Sequence, residues 1–386
     1  MTKADQREFL IDVSRLTWRA WRGRQATGID RVCLAYLEHF GSRAQAVIRT
    51  RGRVFVCTPA QSDRLTRALC SSSPTKLALI RALAPALVTA RYAPARQAMI
   101  YLNVGHTGLD DSALPQWISK HRARAVYLIH DLIPLTHPQY CRSGEAEKHA
   151  RRIGNVLTSA AGIIGNSRET LVELSRFAAI KGRKIAPMLP AWIAGNDPKR
   201  DVKPRAHARA YFLVLGTIEA RKNHLLLLKV WEQLLGSLGD DIPDLIIVGN
   251  RGWEAEETFR KLDDLGGLAE SVIEINDCGD QELASWIAGA RALLMPSFAE
   301  GFGLPVVEAL QLGTPVICSN LQVYHEIACD IPTYLDPNDI SGWAEAIQAY
   351  LGDGAERVRQ RDRVRTYRAP TWPQHFKRVE EWLATL

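Results

Sequence analysis

The chain has 386 residues, 46% of them hydrophobic and 24% charged, which is typical of a soluble globular protein and excludes a disordered or fibrous one. No apolar run approaches the roughly 18 residues of a membrane-spanning helix, and the first residues lack the apolar core of a signal peptide, so we expect a cytoplasmic protein. The length favours two domains, and the seven scattered cysteines show no zinc-binding spacing.

The two halves of the chain differ in charge. Residues 1–200 contain 31 Lys and Arg against 14 Asp and Glu, whereas residues 201–386 contain 18 against 28. A basic half commonly meets an anionic partner, such as nucleic acid, an acidic membrane surface or a phosphorylated substrate. The alternative is a solvated surface that is rich in arginine.

The first predicted strand, residues 9–13, leads into a predicted polar loop, residues 14–24, that is dense in Arg and Trp. Gly28 then precedes a predicted helix. In an open α/β sheet this loop lies at the carboxyl edge, where ligands bind. Trp18 and Trp21, together with their neighbouring arginines, could bind a lipid headgroup or stack on sugars. Alternatively, one Trp packs into the core and the arginines are solvated.

Residues 76–97 mix leucines with basic residues and are interrupted by Pro85 and Pro94. The pattern predicts a broken surface helix, which lies either against a membrane or on its own domain.

Buried parallel strands are predicted at residues 98–102 and 125–129, with a helix at 112–120 between them. Polar residues follow each strand, and His130 and Asp131 follow the second. Strand ends that carry polar groups indicate a ligand-facing edge. A further strand precedes Ser167, which we expect to cap a helix. Prolines and glycines then predict a domain boundary at residues 188–207.

The second half alternates strands and helices, as a doubly wound sheet requires. Strands are predicted at 211–217, 244–250, 272–275, 292–295 and 315–318. The fourth strand ends in a glycine-rich turn, and a helix follows. The free N–H groups at the start of that helix, approached through glycines, suit a diphosphate. Glu300 and Glu308 suit hydroxyl groups, because a carboxylate only accepts hydrogen bonds. A sugar nucleotide carries both kinds of group.

The run Glu300-Gly301-Phe302-Gly303-Leu304-Pro305, with Glu308, resembles the E-x7-E signature of retaining glycosyltransferases with the GT-B fold, above all those of family 4. The resemblance implies that Glu300 holds hydroxyls of the donor sugar and that Glu308 holds the ribose of the nucleotide. Without it, Glu300 would be read as a turn residue and Glu308 as a solvated helix residue.

Two further segments resemble the same family. His130-Asp131-Leu132-Ile133-Pro134 is similar to its H-D-x-x-P segment, whose His reaches the donor sugar near the reacting carbon. Residues 216–223 are similar to its G-x-x-E-x-R-K-N segment, in which the Lys at the position of Lys222 binds the donor diphosphate. Thr217 stands where many members carry Arg. Either Arg221 replaces that charge or the phosphate site has one fewer cation.

The resemblance implies two Rossmann-like domains. Residues 1–190 would bind the acceptor, residues 207–370 the nucleotide sugar, and residues 371–386 would form a helix packing back on the first domain. His130 and Glu300 would be catalytic. The residues implied in donor binding are Gly28, Gly216, Arg221, Lys222, Gly279, Gly301, Phe302, Gly303, Leu304 and Glu308.

The implied activity is transfer of a hexose, with mannose favoured, from a GDP- or UDP-sugar to a glycan or lipid-linked acceptor in cell-surface polysaccharide or lipopolysaccharide synthesis. The donor is a substrate, and no further cofactor is implied. The chain carries no D-x-D pair, so no metal is implied either. An anionic membrane surface is a further partner, which would place the protein at the inner face of the plasma membrane.

Two other classes stay open. One is a nucleotide-sugar isomerase of the same architecture. The other is a non-catalytic basic binding protein, although nucleic acid is not favoured because no RNP, zinc or helix-turn-helix signature is present.

Overall fold

The computed structural model describes residues 7–22, 28–50, 52–71, 76–89, 98–195 and 202–386. The chain forms two compact units, neither of which is a continuous segment. The first unit comprises Met1–Leu135, Ala146–Ile193 and Trp372–Leu386, and the second comprises Thr136–Glu145 and Ala194–Thr371.

The first unit is built on a seven-stranded sheet within the described residues, in the order β3-β2-β1-β4-β5-β6-β7. Each neighbouring pair is parallel except β2 and β3, which are antiparallel. The predicted strands β1, β4, β5 and β6 are present, while β2, β3 and β7 were not predicted. The strands are β1 (Phe9–Asp12), β2 (Ala44–Thr50), β3 (Arg53–Val56), β4 (Ile100–Asn103), β5 (Arg124–Ile129), β6 (Ala160–Gly165) and β7 (Met188–Pro190).

Helices connect these strands, as expected for parallel pairing. Ser167 caps one of them as predicted, because its side chain accepts a hydrogen bond from the Thr170 N–H at 3.1 Å. The helices are α1 (Ser14–Trp21), α2 (Gly28–Phe40), α3 (Pro59–Leu69), α4 (Lys76–Thr89), α5 (Ala113–Lys120), α6 (Ile133–Thr136), α7 (Glu145–Ser159) and α8 (Arg168–Ile180). The end of the predicted segment 76–97 lies outside the described residues.

The polar loop predicted at residues 14–24 is wrong, because residues 14–21 form α1. Arg15 and Arg19 lie one helical turn apart and both pair with the buried carboxylate of Asp30 in α2, at 2.6 and 2.7 Å. These arginines are therefore not solvated. Trp18 and Trp21 are 49% and 55% exposed, so neither packs into the core. Arg24 lies outside the described residues.

The second unit has a fully parallel six-stranded sheet within the described residues, in the order β10-β9-β8-β11-β12-β13. The five predicted strands are present, and the short β13 was not predicted. The strands are β8 (Tyr211–Leu215), β9 (Asp244–Val248), β10 (Val272–Ile275), β11 (Leu293–Met295), β12 (Val316–Ser319) and β13 (Thr333–Leu335). Its helices are α9 (His224–Leu238), α10 (Glu256–Asp263), α11 (Asp280–Gly289), α12 (Leu304–Gln311), α13 (Gln322–Ala328), α14 (Ile340–Leu351) and α15 (Ala355–Val364).

The segment Thr136–Glu145 groups with the second unit, which differs from the predicted first domain of residues 1–190. Within that unit the Tyr140 ring stacks on Phe298 with centroids 4.9 Å apart, and the Arg142 guanidinium lies 4.7 Å above the Trp253 ring. These aromatic contacts join the segment to the second unit, although its neighbours in the sequence belong to the first. Within the predicted boundary of residues 188–207, the first unit ends at Ile193. It extends that far because β7 pairs with β6 and so belongs to the first sheet.

The last helix, α16 (Trp372–Leu383), belongs to the first unit. Its buried His375 joins two parts of that unit. The ring Nδ1–H donates to the Trp192 carbonyl at 2.9 Å, and Nε2 accepts from the Tyr36 hydroxyl at 2.8 Å. The neighbouring Phe376 packs edge-on against Tyr36, with centroids 5.1 Å apart. The histidine must be neutral to make both hydrogen bonds.

Acidification is expected to weaken the first unit through His375. Burial lowers the pKa of His375 from 6.5 to about 4, although hydrogen bonds to backbone carbonyls oppose the shift. Below pH 6.5 the unfolded chain takes up this proton before the folded chain does, so stability falls until about pH 4. Between about pH 7.5 and 5 the loss should be about 2 kcal/mol.

Urea denaturation of the wild type and of His375→Gln at several pH values checks this expectation. Glutamine can donate and accept hydrogen bonds but does not titrate. The difference between the two proteins should therefore shrink on acidification, and a constant difference would contradict the expectation.

Candidate active site

The candidate site lies at the carboxyl edge of the second sheet. Because the strands are parallel, the loops that follow β8, β9, β10 and β11 all emerge at this edge. The candidate residues of this unit lie in these loops or in the helix that follows β11.

The turn between β11 and α12 has the predicted strand-turn-helix form. Gly303 precedes the first helical residue, Leu304, and has φ +101°, which disfavours any residue with a Cβ. A Cβ at Gly303 would also lie only 2.7 Å from Cε1 of Tyr324. Phe302 beside it is buried. Conformation and space therefore both require glycine at Gly303.

Glu300 is nearly buried, and both of its carboxylate oxygens have a polar partner. Lys222 Nζ lies 2.5 Å and Ser297 Oγ 2.8 Å from Oε1. Arg221 contacts Oε2 at 3.0 Å. The predicted residues Glu300, Lys222 and Arg221, which the sequence separates by almost 80 positions, are therefore in direct contact.

The electrostatic environment keeps Glu300 ionised. Burial would raise its pKa, but Arg221 and Lys222 outweigh burial and lower the pKa to about 2. Glu300 is thus a carboxylate that accepts and does not donate hydrogen bonds. Burial lowers the pKa of Lys222, and Glu300 opposes that shift.

The loop after β8 approaches its neighbours closely. Gly216 has φ +135°, and a Cβ there would lie 3.2 Å from Cε of Lys222. In the loop after β9, a Cβ at Gly249 would meet the Gly216 carbonyl oxygen at 2.0 Å, and a Cβ at Gly252 would meet Thr217 at 2.5 Å. Sequence reasoning did not single out Gly249 and Gly252. Both permit the close approach of backbone that holds Lys222 in place.

Asn223 ends the G-x-x-E-x-R-K-N segment and links three loops of the site. It adopts a left-handed conformation with φ 56° just before α9. Its side-chain amide donates to the carbonyls of Pro296 at 3.1 Å and Pro337 at 2.8 Å. Asn223 therefore ties the loops after β8, β11 and β13 together.

Replacing Asn223 with alanine is expected to cost about 2 kcal/mol of unfolding free energy, because one buried and one half-buried carbonyl lose a donor and alanine tolerates the left-handed conformation poorly. Urea denaturation measures the loss. Asn338→Ala is the control, since Asn338 is exposed and bonds only locally to Asp336. Equal losses for the two variants would contradict the role of Asn223.

The remaining residues of this unit for which the resemblance implies donor binding are Glu308, Gly279 and Gly301. Glu308 lies in α12 and is buried, and a Cβ at Gly195 would meet its Cγ at 2.9 Å. Gly279 precedes α11, where a Cβ would meet nothing within 4 Å, so no steric need for glycine exists there. Gly301 lies in the turn between Glu300 and Phe302.

In the first unit, His130 follows β5 and is buried. Its Nε2–H donates to the Val104 carbonyl at 2.8 Å, and its backbone N–H donates to His106 Nε2 at 3.2 Å. Burial lowers the pKa of both histidines. His106, which sequence reasoning did not single out, is therefore a neutral partner of His130. Gly28 begins α2, and the adjacent Thr27 lies outside the described residues.

The solved structures that resemble this chain span both units, whereas the matching family model covers residues of the second unit. The structure of Anabaena Alr3699/HepE in complex with UDP-glucose superposes with a TM-score of 0.68, at 14% identity, over 98% of this chain and 99% of that one. Sucrose-phosphate synthase from Thermosynechococcus elongatus gives a TM-score of 0.65 at 17% identity over 98% of both chains. The fold is GT-B.

Within this GT-B chain, residues 196–367 match the family model described as glycosyl transferases group 1. O-antigen chain mannosyltransferase B of Escherichia coli is 30% identical over 251 residues, which are 63% of this chain and 65% of that protein. O-antigen chain mannosyltransferase RfbU of Salmonella typhimurium is 33% identical over 153 residues, 39% of this chain and 41% of that protein. This chain spans less than two thirds of these curated relatives.

Two properties of the described residues bear on the partners of this GT-B chain. In the part of the chain that the structure describes, no helix has the length and apolarity needed to cross a membrane. Among the same residues, no group of three or more His, Cys, Asp or Glu side chains is arranged to hold a metal ion. Metal independence and membrane association both stay predictions.

Proposed function

We propose that this chain is a retaining glycosyltransferase that moves a hexose from a nucleoside-diphosphate sugar to a glycan or lipid-linked acceptor in cell-surface polysaccharide synthesis. The observation that carries the proposal is the hydrogen bond that Lys222, in the loop after β8, donates to Glu300, in the turn before α12. It joins a cation suited to a diphosphate with a carboxylate suited to sugar hydroxyls, at the sheet edge of a GT-B fold. The family match of residues 196–367 supports the same class.

In the proposed reaction, the donor diphosphate binds at the start of α12 and pairs with Lys222. The ribose bonds to Glu308, and hydroxyls of the sugar bond to Glu300. The resemblance alone assigns His130 a role at the donor sugar. A neutral His130 that donates from Nε2 retains Nδ1 as an acceptor for a hydroxyl.

Transfer breaks the bond between the anomeric carbon and the diphosphate oxygen. The acceptor oxygen forms a new bond to that carbon from the same face, which retains the configuration. The proton of the acceptor hydroxyl passes to the leaving diphosphate, whose growing charge Lys222 offsets. No divalent metal takes part in this proposal, since the sequence lacks a D-x-D pair.

Mannose is the favoured sugar, because two of the relatives are named as O-antigen mannosyltransferases. Both GDP and UDP remain candidate nucleotides, and UDP gains support from the UDP-glucose complex of the structural neighbour HepE. The basic first half is proposed to meet an anionic membrane surface or a lipid-linked acceptor at the inner face of the plasma membrane.

Thermal unfolding with UDP, GDP, ADP and CDP tests the proposal. A nucleotide at a hundred times its dissociation constant should stabilise the wild type by about 2.7 kcal/mol. Glu308→Ala should lose most of this stabilisation, because the ribose loses its carboxylate partner. Stabilisation by none of the four nucleotides would overturn the donor site.

A radiolabelled transfer assay then separates the remaining classes. An isomerase would interconvert sugar nucleotides without an acceptor, and a non-catalytic binding protein would bind nucleotide without turnover. Only a transferase moves label to an acceptor glycan, and Glu300→Ala should abolish that movement.

A further inference from the structure

Arg221 has two candidate roles at the donor site. Thr217 occupies the position at which the resembling family often has Arg, so Arg221 could supply the missing phosphate cation. The contacts of its side chain indicate a different role.

The Arg221 guanidinium bridges two carboxylates. Its NH2 group bonds to Glu219 Oε1 at 2.5 Å, and its NH1 group contacts Glu300 Oε2 at 3.0 Å. NH1 also donates to the Ala299 carbonyl at 2.7 Å. The planar fork of donors thus joins the loop after β8 to the turn that carries Glu300.

The backbone reinforces this link. The Phe298 N–H donates to the Arg221 carbonyl at 2.9 Å, so main chain and side chain of Arg221 both hold the same turn. Glu219, which anchors the other end of the guanidinium, is 5% exposed. A donor diphosphate could not readily displace a carboxylate that is buried this deeply, because the arginine would lose a charge-assisted hydrogen bond.

The arrangement also leaves Glu300 able to bind a ligand. A carboxylate offers about four lone-pair positions. Lys222 and Ser297 bond to Oε1, whereas Arg221 bonds to Oε2. Oε2 therefore keeps a lone-pair position for a sugar hydroxyl, and the Arg221 contact restricts the direction from which that hydroxyl could bond.

We propose that Arg221 is a positioning residue for Glu300, that Glu219 holds Arg221 in place, and that Lys222 is left to meet the donor diphosphate. This inference rests on the proposed function, since it concerns the sugar end of the same donor site. It predicts that Glu219 and Arg221 act as one unit on the sugar and not on the nucleotide.

Calorimetric titration with UDP and GDP, together with steady-state transfer kinetics, tests the inference. Arg221→Met should bind the nucleoside diphosphate within about threefold of the wild type, while kcat/KM for transfer falls by about tenfold or more. The fall should appear mainly in kcat, because the fixed geometry of Glu300 matters most in the transition state. Glu219→Gln should shift the same parameters in the same direction.

The double variant E219Q/R221M should be no worse than R221M, because residues that act as a unit are not additive. Arg221→Lys keeps the charge but cannot bridge both carboxylates, so its kcat should fall in the same way. It replaces Arg221→Met in the test if that variant folds poorly. Arg363→Met is the matched control. Arg363 in α15 pairs with Asp330 at 2.6 Å, and its loss should leave binding and transfer unchanged.

Two results would overturn the inference. In the first, Arg221→Met weakens nucleoside diphosphate binding tenfold or more and an added Thr217→Arg restores it, which would make Arg221 the phosphate cation. In the second, Glu219→Gln leaves transfer unchanged. A wild type that binds neither UDP nor GDP would instead overturn the proposed function, so the two failures are distinct.

Discussion

Replacing Lys222 with methionine is expected to lower kcat/KM for sugar transfer by about 10²- to 10³-fold, the usual cost of removing one group that stabilises developing charge. Lys222 is nearly buried and bonds to Glu300 at 2.5 Å, so its ammonium is fixed beside the proposed diphosphate position. Methionine has a similar length and no charge. Transfer kinetics and nucleotide titration measure the effect.

Lys261→Met is the matched control for Lys222→Met. Lys261 also pairs with a glutamate of the second unit, Glu232, but this pair is solvent-exposed. Exposed pairs contribute little, so we expect unchanged transfer and a stability change below about 1 kcal/mol. Full transfer by Lys222→Met would contradict the role of Lys222, and an equal loss in both variants would show that removal of any such lysine is enough.

Replacing Gly303 with alanine is expected to destabilise the second unit by about 3–5 kcal/mol. The positive φ of +101° strains any residue with a Cβ, and that Cβ would lie 2.7 Å from the Tyr324 ring. Tyr324 is fully buried and cannot move without disturbing the core. Urea denaturation measures the loss, and transfer should fall as well because the turn carries Glu300.

Gly313→Ala separates the two causes of this loss. Gly313 also has a positive φ, +82°, but a Cβ there would meet nothing within 4 Å. Only the backbone strain applies, which costs about 1–2 kcal/mol. Losses of the same size at Gly303 and Gly313 would show that the contact with Tyr324 contributes nothing.

Local signals were enough to predict the turn before α12. The apolar run of β11 ends at a proline, and the glycines and the apolar pattern that follow specify a turn and a helix without help from distant residues. The individual roles of Glu300 and Lys222 came from a resemblance to motifs. Their direct contact could not be predicted, because only the order of β8 and β11 in the sheet brings together residues 78 positions apart.

Helix α1 and strand β2 were missed for related reasons. Helix α1 buries Ser14, Leu16 and Thr17, two of which are polar, so the apolar periodicity of a buried helix is weak. Strand β2 contains Gln45, a polar residue that interrupts the apolar run. Gln45 is buried because its amide donates to the Cys57 carbonyl at 2.8 Å, a contact that depends on the sheet.

The placement of α16 has a consequence for synthesis of the protein on the ribosome. Residues 194–371 emerge before α16 does, so the first unit waits for its last element while 178 residues are added. At about 5–20 residues per second this takes roughly 10–40 s. Tyr36 and Phe40, which Phe376 of α16 covers, stay without that cover throughout. We expect the nascent first unit to be the stage at which chaperones engage the chain.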